Sequence, residues 1–144
     1  MGKIYAVGIG PGNAGQMTAE AREAIASCDV VTGYTVYVDL VKKELEESEL
    51  KGKEFITTPM TQEVRRCQIA FEQAQCGKNV AMVCSGDAGV YGMAGLLLEL
   101  SEDHPDTEIQ VVPGITAALS GAAVLGAPLI HDFAVISLSD LLTP

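Results

Sequence analysis

A chain of 144 residues, 48% hydrophobic and 19% charged, has the length and composition of one globular domain with a buried core, which excludes a disordered or low-complexity segment. Nine Lys and Arg against 19 Asp and Glu give a formal net charge of -10 with no basic patch, so neither nucleic acid nor an anionic membrane surface is expected as a partner. Cys28, Cys67, Cys76 and Cys84 form no C-x-x-C pair and no secretory signal precedes the first apolar run, so the expectation is a cytoplasmic protein with free, mostly buried thiols.

In chain order, residues 4–7 are a short β run and residues 8–15, GIGPGNAG, a glycine-rich loop. Residues 18–27 have helical spacing, with Thr18 placed to cap the N-terminus. Residues 30–32 read as a second strand and 35–50 as a helix whose far half, KKELEESEL, is a charged solvent face. A third strand over 55–57 leads to an amphipathic helix over 62–76, closed by Gly77, with Val64, Ile69 and Phe71 expected inward. Residues 80–84 are an unbroken apolar run, the mark of a strand covered on both faces. A helix over 92–102, a strand over 109–112, a helix over 115–125 and a last apolar run over 133–138 follow. Residues 109–130 carry no charge. Pro113 and Pro128 nevertheless bracket a helix of only about a dozen residues, short of the roughly 20 that span a bilayer, and its small side chains suit a buried helix packed on a sheet.

Strand and helix alternate throughout, which calls for an α/β fold with a mainly parallel sheet flanked by helices on both faces. Ligands of such sheets bind beyond the carboxyl ends of the strands. Three glycine-rich turns, GIGPG, SGDAGVYG and PGIT, follow the first, fourth and fifth strands and are expected to converge on one cleft. The run over 133–138 reads as a strand that leads nowhere, so the expected organisation is an N-terminal domain over 1–127, then a linker and the first strand of a truncated second domain over 128–144.

The opening loop poses the question of a nucleotide. Gly10, Gly12 and Gly15 satisfy G-x-G-x-x-G, yet the second strand ends in Thr32-Gly33-Tyr34 where a dinucleotide fold wants an acidic residue, and Asp29 opens that strand rather than closing it. Pro11 removes a backbone donor from the loop and no Lys follows, so a phosphate cradle is excluded. The loop suits close backbone approach to a ligand that is not strongly anionic. No His or Cys pair has metal-ligand spacing, and CSGDAG is not G-x-S-x-G, so neither a protein-bound metal nor a hydrolase Ser85 is expected.

The motifs VGIGPG, GYTVYVDLV, TPMTQEVRRC, CSGDAGVYGMAG and VVPGITAALSGAAVLGAPLIHDFAVISLSDLLTP stand in this order. Through them the chain, from Ile4 onward, resembles the tetrapyrrole methylases, the S-adenosyl-L-methionine-dependent enzymes of corrin and sirohaem synthesis. SGDAGVYGMAG and HDFAVISLSDLLTP favour the subgroup that methylates carbon 17 of precorrin-3B. The resemblance implies a two-domain, homodimeric methyltransferase of cobalamin biosynthesis, of which this chain would be the first domain. It implies S-adenosyl-L-methionine held between the domains, S-adenosyl-L-homocysteine as product, and a precorrin or cobalt-precorrin substrate methylated at C-17 with ring contraction. Any cobalt would belong to the substrate. Carried over by position, the implied cofactor contacts are Pro11, Ser85, Gly86, Asp87, Val90, Thr116 and Ala117.

The acid-base residues of the uroporphyrinogen-methylating relatives fall at Tyr34 and Thr58, substitutions that do not preserve their chemistry. Tyr34 stands as the candidate catalytic proton donor, with Asp39, His131 and Asp132 as alternatives, His131 reading as structural because it follows an apolar turn. Arg65 and Arg66 come nearest to a cationic cluster for a polycarboxylate substrate. Asp87 has a bland alternative, a turn residue bonded to its own backbone. The competing reading of the whole chain is a truncated, non-catalytic binding or dimerisation module of the same fold.

Overall fold

Val80–Cys84 (β4) is buried along its whole length, as an unbroken apolar run requires, and lies at the centre of a five-stranded sheet. The computed structural model describes residues 1–138. Lys3–Gly8 (β1), Val30–Tyr34 (β2), Glu54–Thr58 (β3) and Glu108–Val112 (β5) complete the sheet in the order β3-β2-β4-β1-β5. All four pairings are parallel, with Ile4 opposite Val80 and Ile109, and Val30 opposite Glu54 and Val80. The α/β architecture expected from the alternation is therefore present, and every strand points its carboxyl end to the same edge.

Side chains alternate between two cores. Ile4, Val30, Val80 and Met82 meet Cys67, Ala70, Phe71 and Ala74 of Glu63–Gln75 (α4) and Leu97 of Ala94–Leu100 (α5). On the other face Val7, Val31, Ala81 and Val83 meet Ala21 and Ile25 of Ala19–Ser27 (α1) and Val38 and Val41 of Thr35–Glu44 (α2). The Thr18 hydroxyl accepts the Ala21 amide at 3.1 Å, the N-cap anticipated from sequence. Cys28, Cys67 and Cys84 are buried and Cys76 is exposed; burial pushes the thiols of Cys28 and Cys67 up to about 12 and that of Cys84 to about 11.

Several expectations need correction. The helix foreseen over 35–50 breaks at Leu45, which turns into the core, and restarts as Glu47–Leu50 (α3) on a capping box between Glu46 and Glu49. The helix foreseen over 92–102 is regular only across α5, with a short 3-10 turn at Ser101–Asp103. Val64 is half exposed, because the inward stripe of α4 is set by Cys67, Ala70, Phe71 and Ala74 at helical spacing. Ala117–Val124 (α6) has no buried residue, and Val124 and Leu125 are 85% and 81% exposed; small residues permit close packing but do not supply a partner. Residues 133–138 pair with no described strand. The last six residues of the expected second-domain strand region, 139–144, lie outside the described residues.

Candidate functional site

Three loops leave the carboxyl edge and are laced together by their backbones. The first, after β1, bonds to the second, after β4: the Gly10 amide donates to the Gly86 carbonyl at 3.0 Å and the Gly86 amide to the Gly10 carbonyl at 2.9 Å. Gly86 does this at φ 67°, a left-handed conformation that favours glycine. The third, after β5, joins through Asp87, whose Oδ1 accepts the Gly114 amide at 2.8 Å while Oδ2 accepts the Gly89 amide at 2.8 Å. A side chain on Gly114 would stand 2.2 Å from the Gly86 carbonyl oxygen and 2.7 Å from Gly8, so the lacing requires glycine there. The three glycine-rich turns thus meet at one edge of the sheet, but only those after β4 and β5 reach the cavity that lies beyond them.

The glycine-rich opening loop is not a dinucleotide site in its context either. Asn13 caps a short 3-10 turn over Ala14–Gln16 and Met17 intervenes before α1, so the loop does not run directly onto that helix's N-terminus.

Beyond the laced loops lies a cavity of about 240 Å³. Ser85, Gly86, Asp87 and Val90 line it from the β4 loop, with Tyr91; Thr116, Ala117 and Ala118 line it from the start of α6; Val135, Ile136 and Ser137 form the remaining wall. Six of the seven cofactor contacts implied by resemblance thus face one space. The seventh, Pro11, does not line the cavity but follows Gly10 directly in the loop bonded to Gly86. Among the described residues no Lys or Arg lines this space. The lining combines hydroxyls, one carboxylate and apolar side chains, a set that suits a neutral or cationic ligand of mixed polarity. A neighbouring apolar concavity of about 460 Å³ shares Ala117, Ala118, Val135 and Ile136 and adds Leu129, Phe133 and Ala134. A concavity of about 410 Å³ between α2, α3 and the turn before β3 has Lys42, Glu47 and Lys51 on its wall but no convergent loop ends.

The other singled-out residues lie elsewhere. Tyr34 ends β2 on the same edge, packed edge-on to Tyr37 with ring centroids 5.2 Å apart, and does not line the cavity. Asp39, on α2, and His131 and Asp132 are exposed and equally outside it. Arg65 and Arg66 do not act as a cluster. Arg65 is on the surface, paired with Glu72 at 2.6 Å, whereas Arg66 is only 5% exposed and donates Nε to Thr58 Oγ1 at 2.7 Å and a terminal nitrogen to the Pro59 carbonyl at 3.0 Å. Thr58 is thereby committed to structure. Asp87 likewise makes the backbone bonds of a turn residue, though it ties two loops rather than one. Sequence reasoning missed Tyr91 and the 135–137 wall, for which the signals were a tyrosine followed directly by Gly92 and an apolar run. Among the described residues no group of three or more His, Cys, Asp or Glu could hold a metal ion, and no helix is long and apolar enough to cross a membrane.

Residues 3–144 match the family described as Tetrapyrrole (Corrin/Porphyrin) Methylases. The chain belongs to the tetrapyrrole methylases. Within that family it is 52% identical over 142 residues to a probable cobalt-factor III C(17)-methyltransferase of Salmonella typhimurium, covering 98% of this chain and 57% of that protein. It is 40% identical over 147 residues to a precorrin-3B C(17)-methyltransferase of a Sinorhizobium species, covering 99% of this chain and 56% of that one. The crystal structure of the methyltransferase CobJ superposes with a TM-score of 0.88 at 40% identity, over all of this chain and 59% of CobJ. This tetrapyrrole methylase chain therefore spans a little over half the length of each of these three relatives.

Proposed function

We propose that this chain forms the S-adenosyl-L-methionine-binding part of a methyltransferase that acts on carbon 17 of a precorrin or cobalt-precorrin in cobalamin biosynthesis. The observation that carries the reading is the cavity at the carboxyl edge, lined by the β4 loop and the segment after β5, braced by the β1 loop through Gly86, and without a cationic side chain among its described lining residues. The likeness to C(17)-methyltransferases supports the substrate.

The residues present fit the cofactor. Its sulfonium is positive, so a wall without Lys or Arg and with the Asp87 carboxylate at its margin is electrostatically suitable. Ser85 and Thr116 offer hydroxyls to ribose and amide groups, and Val90, Ala117 and Ile136 offer apolar surface to the adenine. When bound, S-adenosyl-L-methionine supplies an electrophilic methyl group. The loops would hold it so that an electron-rich macrocycle carbon lies in line behind the breaking carbon–sulfur bond, and positioning of this kind supplies much of the rate. At about 240 Å³ the cavity is smaller than the roughly 300–1,000 Å³ of complete ligand pockets. Pro11 would contribute through the backbone of its loop. Tyr34 is the group on this edge to examine as a proton donor for ring contraction. The same reading takes 1–127 as one domain and 128–144 as the entry into a second, in a cytoplasmic homodimer with no resident metal.

The test is calorimetric titration of the full-length protein carrying this chain with S-adenosyl-L-homocysteine, NAD and ATP, alongside an Ala117→Trp variant that fills the cavity. Micromolar binding of S-adenosyl-L-homocysteine alone, lost in the variant, supports the reading. A folded protein that ignores S-adenosyl-L-homocysteine, or prefers NAD, ends it and leaves the binding or dimerisation module.

A further inference from the structure

Tyr91 has a backbone that needs a reason. Its φ of 53° lies in the left-handed region, which is unfavourable for a residue with a side chain. The loop enforces this: the Ala94 amide returns to the Ala88 carbonyl at 3.1 Å, and a side chain on Gly92 would stand 2.3 Å from that same oxygen. Burial is no compensation, because Tyr91 is 66% exposed.

The phenol oxygen supplies the reason. It donates to the Val135 carbonyl at 3.1 Å and accepts the Ser137 amide at 3.1 Å. A carbonyl and the amide two residues later point to the same side of an extended segment, and one residue of a parallel neighbour normally satisfies both. One side-chain oxygen takes that neighbour's place here. The run 133–138, strand-like in sequence and paired with no described strand, is bonded at its centre to Tyr91, and the residues so held are the outer wall of the cavity.

We propose that Tyr91 is a positioning residue for the methyl donor: through its hydroxyl it fastens residues 135–137 across the cavity and so sets how long the cofactor stays bound. The proposal rests on the function proposed above. The strained loop aims the ring, the hydroxyl holds the wall, and the wall limits escape and the access of water. Phenylalanine would preserve the ring and lose both bonds.

The experiment compares wild type and Tyr91→Phe in the full-length protein, by hydrogen exchange at the Ser137 amide without ligand and by binding of S-adenosyl-L-homocysteine. In the variant the Ser137 amide exchanges faster while the sheet amides do not change. The dissociation constant rises about tenfold, the loss expected for two hydrogen bonds, and it does so in the dissociation rate. In turnover, KM for the methyl donor rises and kcat stays near its wild-type value, a split that general loss of structure would not produce. Unchanged Ser137 exchange, or equal affinity in a variant of a wild type that does bind, overturns the role of Tyr91 alone. A folded wild type that binds no S-adenosyl-L-homocysteine removes the proposed function with it.

Discussion

Arg66 directs its Nε at Thr58 Oγ1 across 2.7 Å, joining α4 to the end of β3 with both side chains buried. No carboxylate pairs with Arg66 within 4.0 Å among the described residues, so neutral acceptors carry the charge: Thr58 Oγ1, the Pro59 carbonyl and, weakly, Met93 Sδ at 3.6 Å. One strand away Thr32, also buried, has an Oγ1 with no partner. The same substitution should therefore have opposite effects. Thr58→Val leaves a buried guanidinium short of an acceptor and is expected to destabilise by about 2 kcal/mol, while Thr32→Val removes an unsatisfied hydroxyl at constant volume and is expected to stabilise by about 1 kcal/mol. Urea midpoints at constant m-value decide it, and a matching sign for the two variants would refute the assignment.

Glycine is required at one loop end and dispensable in one helix. Gly114→Ala would press a methyl into the Gly86 carbonyl and the Gly8 backbone, and overpacking of that kind costs about 1–3 kcal/mol. Gly95, in the first turn of α5, has nothing within 4 Å of where an alanine methyl would stand, so Gly95→Ala is expected to stabilise by about 0.5–1 kcal/mol. Thermal unfolding of both variants measures the contrast, and the Gly114 variant should also lose affinity for S-adenosyl-L-homocysteine because its three loops no longer meet.

Glu49 links pH to the α1–α3 contact. The Arg22 guanidinium, bonded to both of its oxygens at 2.8–3.1 Å, holds the Glu49 carboxyl below its usual value, and the Glu46 backbone amide adds to this. A depressed folded pKa means that the unfolded chain binds the proton more readily, so the contribution is present above the unfolded carboxyl pKa and fades as pH falls through the folded value. The stability gap between wild type and Glu49→Gln should accordingly be open at pH 7 and closed in strong acid. A gap that did not vary with pH would show that the pair contributes shape and no charge.

Thiol chemistry gives a count. With Cys28, Cys67 and Cys84 buried and their thiols raised, only Cys76 should react with a maleimide at pH 7 in the native protein, and urea should release the other three. Mass spectrometry reads the number directly, and prompt labelling of Cys84 would contradict the packing of β4.

The strands and the convergence of loops were legible because they rest on short-range chemistry: apolar runs of strand length, Thr18 as a cap, and glycines at strand ends. The phase of α4 was not. Its inward stripe is built of Cys67, Ala70 and Ala74 around one Phe71, small side chains that carry little hydrophobic signal beside Val64 and Ile69. The two adjacent arginines illustrate the same limit, for spacing alone could not tell that one faces water and its neighbour is buried against Thr58. The break at Leu45 was hidden inside a run of charge that looks uniformly helical. The site was legible as to which loops form it. It was not legible as to what closes it, because the bonds from Tyr91 span 44 and 46 residues and depend on a backbone conformation no propensity favours.

The sheet order has a consequence for how the chain is made. β4 is inserted between β1 and β2, and β1 has only β4 and β5 as neighbours. On a ribosome, β2 and β3 can pair as soon as they emerge, whereas β1, made before them, must wait for its neighbour until residues 80–84 arrive. Such long-range closure is slow, and an unpaired apolar strand is what holding chaperones capture. A stall in translation before Cys84 would leave β1 without the strand it pairs with first.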